Sequence, residues 1–226
     1  VGINYSPKIV TNGLVLCLDA ANSLSYPGSG TVWTDLSGNG NNGTLTNGPT
    51  YSSANRGSIV FDGSNDFISI PASTNFNFGS NNFVIEGWFY PTNLSGVDKC
   101  LVELRGSGSS SDGWVWFLNS SNVMHIYDNG LKTQSTTVIA INSWYYLCIT
   151  RISGTLNYYV NGNIAGTASY ATSTNASSTG LRISTRQDTT NSFTGRISNL
   201  RIYNNRALTA SEVLQNYNAT KGRFNL

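Results

Sequence analysis

One stretch restricts the fold more than any other: residues 193–217, FTGRISNLRIYNNRALTASEVLQNY. Ile197 alternates with Arg196 and Ser198, and Ile202 with Arg201 and Tyr203. A period of two marks a strand with one buried face. After the Asn204-Asn205 turn, Thr209 stands three residues before Glu212, ahead of Val213, Leu214 and Tyr217. That spacing is a capping box, in which each side chain satisfies the other residue's backbone N–H at a helix start. No other stretch reads as helical. The chain is therefore expected to be β-rich and closed by one short helix.

The remainder supports this. Leu14–Asp19 is apolar on both faces, Leu14, Leu16 and Leu18 against Val15 and Cys17, and is expected to be buried on both sides. Residues 22–51 hold five Gly-containing turn pairs, with Trp33 and Leu36 as the expected anchors of a functional or self-packed loop. Strands follow at 58–62, 67–70 and 83–90, where Phe83, Ile85 and Phe89 share one face and Val84, Glu86, Trp88 and Tyr90 the other. Further strands are expected at 100–104, 114–118, 123–127, 144–151, 156–160, 164–168 and 181–184. Asn161-Gly162 is the strongest hairpin signal in the chain. About a dozen short strands at turn-punctuated spacing predict an all-β antiparallel jelly-roll sandwich. The helix is expected at an end or edge. The domain division is an extended arm over 1–12 and one domain over 13–226.

Composition limits function. Only 11% of residues are charged and the formal net charge is +2, with basic residues scattered, so a nucleic-acid partner is not indicated. No apolar run is long enough to cross a membrane. Val1–Tyr5 has neither the basic start nor the apolar centre of a signal peptide. Cys17, Cys100 and Cys148 are odd in number, so at least one is unpaired. Buried free thiols are expected, with one disulfide the alternative.

The motif set resembles the concanavalin A-like, laminin-G-like jelly rolls. The pieces are Gly13-Leu14-Val15-Leu16 with Asp19, the 35–43 run DLSGNGNNG, 58–63 SIVFDG, 83–89 FVIEGWF, 158–162 YYVNG and 195–203 GRISNLRIY, running into Arg206-Ala207-Leu208-Thr209 and Glu212. The opening, residues 7–16 with 18–22, is similar to structural proteins of tailed bacteriophages, especially marine ones. That similarity implies a non-catalytic virion surface protein, as capsid decoration or part of a fibre or tail. Its partners would be other virion proteins or copies of itself, with a cell-surface glycan as a further partner. The alternative is a secreted carbohydrate-binding module, extracellular rather than on a virion.

Glycosidases of this superfamily carry a Glu-x-Asp-x-x-Glu strand, which supplies two carboxylates across a sugar bond. No such spacing occurs here; Glu86 stands alone in its strand, and Asp98, Glu103 and His125 complete no pattern. The resemblance implies a structural Ca²⁺, with Asp19, Asp35, Asp62 and Asp66 as oxygen ligands. Ser198 and Asn199 replace acids that relatives often carry, which weakens that expectation, and turn hydrogen bonding is the competing role for these aspartates. For a sugar platform the candidates are Asp112, Trp114 and Trp116, with Trp33 as a second option. Trp114 and Trp116 alternate with apolar Val115 and Phe117, so a core position competes with that role.

Overall fold

The strand with the clearest alternation becomes the hub. In the computed structural model, which describes residues 7–105, 113–128, 131–171, 173 and 179–226, the chain forms β1 (Leu14–Asp19), β2 (Val32–Trp33), β3 (Gly43–Thr46), β4 (Thr50–Ser52), β5 (Ser58–Asp62), β6 (Phe67–Ile70), β7 (Phe83–Asn93) and β8 (Lys99–Arg105). There follow β9 (Gly113–Leu118), β10 (Val123–Asp128), β11 (Leu131–Val138), β12 (Tyr145–Ile152), β13 (Thr155–Val160), β14 (Asn163–Ser169), β15 (Leu181–Ile183), β16 (Thr194–Asn204) and α1 (Ala210–Thr220). One sheet has the order β14-β13-β12-β7-β16-β5-β4, with β1 on the same edge of β16 as β5. The other is β11-β10-β9-β8-β15-β6-β3-β2. Every pairing is antiparallel. The architecture is the antiparallel sandwich expected from the alternation.

The core lies between the sheets. β7 contributes Phe83, Ile85 and Phe89, and β16 contributes Ile197, Leu200 and Ile202. The facing sheet contributes Leu104, Trp114, Trp116 and Ile126. Burying each large apolar side chain stabilises the fold by about 1.5–3 kcal/mol.

The helix departs from its expected place. It lies over the outer face of the first sheet, not at an end or edge. There Val84, Trp88, Tyr146, Cys148, Tyr159 and Tyr203 meet Val213, Leu208 and Phe224 in a second apolar cluster. The capping box forms as predicted: Thr209 Oγ1 accepts from Glu212 N at 3.3 Å, and Glu212 Oε2 accepts from Thr209 N at 2.9 Å. β7 had no spare apolar face to expose, because Trp88 and Val84 on its outer side need a cover.

Other details differ from the alternation reading. A bulge between Leu14 and Leu16 turns Leu14 to the second cluster while Leu16 and Leu18 stay in the core. Residues 22–51 are not all loop; they hold β2, β3 and part of β4. β2 is only two residues long, and β3, β4 and β11 are rich in Thr, Ser or Gly, so hydrophobic alternation does not reveal them. Trp33 anchors this region, whereas the Leu36 side chain is exposed and only its backbone is fixed, N–H to Cys17 O at 2.9 Å. The 35–42 run covers the free edge of β1. Asp35 Oδ1 accepts from Cys17 N, Ser37 Oγ donates to Val15 O, and Asn41 Nδ2 donates to Val15 O. Unpaired strand edges invite pairing with other chains, and this loop occupies one. The Asn161-Gly162 hairpin is present, with φ values of 52° and 79° that suit a two-residue turn.

Candidate functional site: a groove on the open sheet

With α1 on one sheet, the outer face of the other has no described helix over it. Its composition follows from strand register. Directly opposed residues of an antiparallel pair point to the same face. Cys100, Phe117 and His125 form one cross-strand row over β8, β9 and β10. Thr44, Ser69, Arg182, Glu103, Val115 and Tyr127 form a second row, running from β3 through β6, β15, β8 and β9 to β10. These rows alternate with the core side chains Trp114, Trp116 and Ile126.

The rows frame a groove of about 310 Å³. Phe117 stacks on His125, ring centroids 4.7 Å apart and planes 25° apart. Arg105 lies 5.1 Å from the centroid of the Tyr127 ring, a cation–π distance. Asp98, Arg186 and Asn191 supply polar groups along the groove, and Cys100 and Val115 are buried beneath them. Phe117, His125, Tyr127 and Arg105 are all half-buried. One side is the loop after β15. Arg182 lies over the Phe67 ring at 4.2 Å and donates through Nη1 to the carbonyls of Arg186 and Gln187 at 3.1 and 3.2 Å. Glu103 Oε2 accepts from Gln187 N, and its Oε1 lies 3.7 Å from Arg186 Nε. Burial raises the Glu103 carboxyl above its ordinary range, against the lowering effects of the Gln187 N–H and the Arg186 charge. Both Glu103 oxygens thus hold the loop in place. Beyond the loop a second cleft, about 280 Å³, continues over Thr44, Ser69 and Gln187.

The sugar-platform candidates read from sequence do not sit here. Trp33, Trp114 and Trp116 have 0% exposure and face the core. Trp114 stacks on Phe78 at 5.4 Å, and Trp116 meets Phe89 edge-on at 5.5 Å. Their neighbours Val115 and Phe117 take the outer face, so the core position that competed with the platform role is the one Trp114 and Trp116 hold. Asp112 lies outside the described residues. The residues that line the groove, Arg105, Phe117, Tyr127, Arg186 and Asn191, escaped sequence reasoning. The available signal was the pairing of 114–118 with 123–127: its register sets Phe117 beside His125.

The four aspartates offered for Ca²⁺ do not fit one ion. Asp19 forms a two-point ion pair with Arg223, 2.7 and 2.8 Å. Asp35 accepts from Cys17 N, Ser37 N, Ser37 Oγ and Asn41 N. Asp62 accepts from Ser64 N, and Asp66 from Asp62 N. Burial raises the Asp66 carboxyl, and the nearby Asp62 charge adds to the rise. No group of three or more His, Cys, Asp or Glu side chains converges among the described residues. These aspartates act in turns and ion pairs.

The fold and the groove define a jelly roll with one covered face and one face that presents aromatic and polar side chains. The family model described as the concanavalin A-like lectin/glucanases superfamily matches residues 62–214, and the chain belongs to that superfamily. No curated protein matches it. Among solved structures, it is similar to the binding domain of Paraclostridial Mosquitocidal Protein 1, at 20% identity and a TM-score of 0.68, over 92% of this chain and 52% of that one. Domain 4 of AbnA, a GH43 extracellular arabinanase from Geobacillus stearothermophilus, solved with arabinotriose, gives 19% identity and a TM-score of 0.68, over 90% of this chain and 98% of that one. The Trypanosoma rangeli sialidase gives 16% and 0.68, over 97% of this chain and 36% of that one. The chain therefore spans about half of the mosquitocidal binding domain and about a third of the sialidase. At these identities the likeness is one of fold.

Proposed function

We propose that this chain is a non-catalytic glycan-adhesion module displayed on a virion surface, as capsid decoration or part of a fibre or tail. The observation that carries the adhesion reading is the groove: Phe117 on His125, and Arg105 by Tyr127, with Asp98 and Asn191 in reach of the same ligand. Aromatic faces pack against the C–H faces of sugar rings, and amide, carboxylate and guanidinium groups answer hydroxyls. The non-catalytic reading rests on the carboxylates. Glu103 is occupied in holding the loop, and Asp98 Oδ1 accepts from Ser120 N at 2.9 Å. The groove offers no free pair for acid and base roles among the described residues.

The adhesion test is a glycan array with the wild type and Phe117→Ala. Phe117 is half-buried on the outer face, so its truncation should abolish binding and leave the melting transition in place. Absence of binding by the wild type to any array sugar would sink the reading. Release of reducing ends from polysaccharide would refute the non-catalytic part.

Virion display is supported by the similarity of residues 7–16 with 18–22 to tailed-phage structural proteins. Arm-mediated attachment is part of this proposal. Residues 8 and 10 pack on the chain's own helix: Gln215 Nε2 donates to Lys8 O at 2.7 Å, and Val10 N donates to Asn216 Oδ1 at 2.8 Å. Deleting residues 1–6, which spares these bonds, is therefore the clean test. Loss from purified particles supports attachment by the arm; full occupancy refutes it. A secreted carbohydrate-binding module is the second reading, favoured by the match to nearly all of an extracellular arabinanase's domain 4. Mass spectrometry of purified particles separates the two.

A further inference from the structure

The covered sheet contains a second cavity, unrelated to the groove because it lies on the other side of the sandwich. It measures about 430 Å³ and is lined by Lys8 and Thr11 of the N-terminal segment, Asp19 of β1, Arg201 of β16, and Thr220 and Arg223 at the end of α1. Its charges do not balance locally. Three cations line it against one carboxylate, and both oxygens of that carboxylate are held by Arg223. Arg201 is 1% exposed. Its Nη1 donates to Glu86 at 3.0 Å, while its Nε is buried with no hydrogen-bond partner.

We propose that this cavity binds a compact oxyanion group: a sulfate, phosphate or carboxylate. Counting Glu86 beneath it, the site has one positive charge in excess. The partly exposed guanidinium of Arg223 presents a planar set of donors that suits tetrahedral or planar oxyanions, and the buried Arg201 adds its charge from beneath. Lys8 is exposed and brings a mobile ammonium to the rim, and the Thr11 hydroxyl is also exposed there. The carbonyl end of α1 opposes an anion. The turn Lys221–Arg223 that closes the helix brings Arg223 to the same cavity, which offsets that effect. Because the cavity lies between the N-terminal segment and the helix, a bound oxyanion would fasten the two together.

The experiment titrates inorganic sulfate into the whole chain and follows melting temperature against sodium chloride of equal ionic strength. Calorimetry gives the affinity. Sulfate also stabilises folded proteins by exclusion from their surface, so two variants decide the matter. Lys8→Glu and Thr11→Asp each add negative charge at the rim, on side chains that make no core contact. Expected is a saturable rise in melting temperature for the wild type. In both variants the affinity falls at least tenfold, with the melting temperature in chloride unchanged. A sulfated disaccharide forms the second arm. Tighter binding than free sulfate assigns the oxyanion to a sugar; equal or weaker binding assigns it to the free ion. A rise no larger than in chloride, or one that both variants share in full, overturns the proposal. Loss of glycan-array binding in Phe117→Ala tests the groove separately, so the two readings fail independently.

Discussion

Replacing Glu86 by Gln should be the most damaging near-isosteric change in the molecule. Glu86 is completely buried in the middle of β7. Its Oε1 accepts from Arg201 Nη1 at 3.0 Å and Asn216 Nδ2 at 3.0 Å, and its Oε2 from Asn216 Nδ2 at 3.1 Å and from the Tyr146 hydroxyl. Asn216 also donates to the Tyr203 hydroxyl, which donates to Val10 O, and Asn216 accepts from Val10 N. One carboxylate thus ties together β7, β12, β16, α1 and the N-terminal segment. In Glu86→Gln one acceptor oxygen becomes an NH₂ that faces donors, and the Arg201 charge stays buried without a counter-ion. Breaking a buried pair from one side costs about 3–5 kcal/mol. That is a large part of the roughly 5–15 kcal/mol that keeps a domain folded. For a chain of this size it corresponds to a melting-point drop on the order of 6–20 °C. Urea denaturation followed by tryptophan fluorescence gives the free energy directly. The double variant Glu86→Met/Arg201→Met removes both charges and should cost less than Glu86→Gln alone, because an apolar replacement leaves no orphaned charge. A loss under about 1 kcal/mol in Glu86→Gln, or a double variant worse than the single one, would refute the reasoning.

Three further outcomes follow from burial. Tyr146, Tyr158, Tyr170 and Tyr203 are fully buried, and burial before all else pushes their hydroxyls up, Tyr158 to about 12. The unfolded chain loses these protons near pH 10 while the folded one keeps them, so stability is intact below pH 10 and falls above it. The slope is roughly 1.4 kcal/mol per pH unit for each group, about 5 kcal/mol per unit together; circular dichroism should show cooperative unfolding between about pH 10 and 12. Cys17, Cys100 and Cys148 are free and buried, and burial raises all three thiols. Ellman's reagent should find none in the native protein and three after denaturation; rapid native labelling would contradict the packing. Trp116→Ala should cost about 3–5 kcal/mol as a core truncation. Any loss of sugar binding in it should track unfolding, measured on the same samples.

What the sequence made legible was set by hydrophobic contrast. β7, β12, β13 and β16 alternate strongly, and the capping box at Thr209 stands out because Thr and Glu at that spacing serve helix starts. β3, β4 and β11 were invisible, since Thr, Ser and Gly sit on either face of a sheet at little cost. The face of β9 was ambiguous for the opposite reason: Trp114, Val115, Trp116 and Phe117 are all apolar, so no period of two survives. The space between the sheets takes the indole rings, and the outer face keeps Phe117 beside a histidine. The aspartates offered for a metal have protein partners instead of one another. Arg223, 204 residues away in sequence, pairs with Asp19, and the N–H groups of the 35–41 turn donate to Asp35, contacts that sequence spacing does not reveal.

The placement of the helix ties these results together. A jelly roll has two outer faces, and a ligand groove needs one of them free. Here the outer side of β7 carries Val84, Glu86 and Trp88, a composition that water does not tolerate without a cover. Trp88 Nε1 donates to Thr220 Oγ1 at 2.8 Å, and Trp88 stacks on Phe224 at 4.2 Å. The cover therefore comes from residues 208–224 of the same chain, and it closes the middle of that sheet to an extended ligand. The other sheet has no such demand. Its outer rows are Cys100-Phe117-His125 and Arg182-Glu103-Val115-Tyr127, mixed in polarity, with Phe117, His125, Arg182 and Tyr127 half-exposed and Cys100, Glu103 and Val115 buried beneath the loop after β15. The same alternation that assigns the core thus sets the half-exposed aromatic and polar side chains on the second sheet. Weakening the helix should consequently lower stability without altering the groove. Tyr217→Ala, which removes a ring stacked 5.7 Å from Trp88, should reduce the melting temperature yet leave glycan affinity unchanged at temperatures where the variant is folded. A change in affinity at full folding would show that the two faces are coupled, and that the division between cover and contact does not hold.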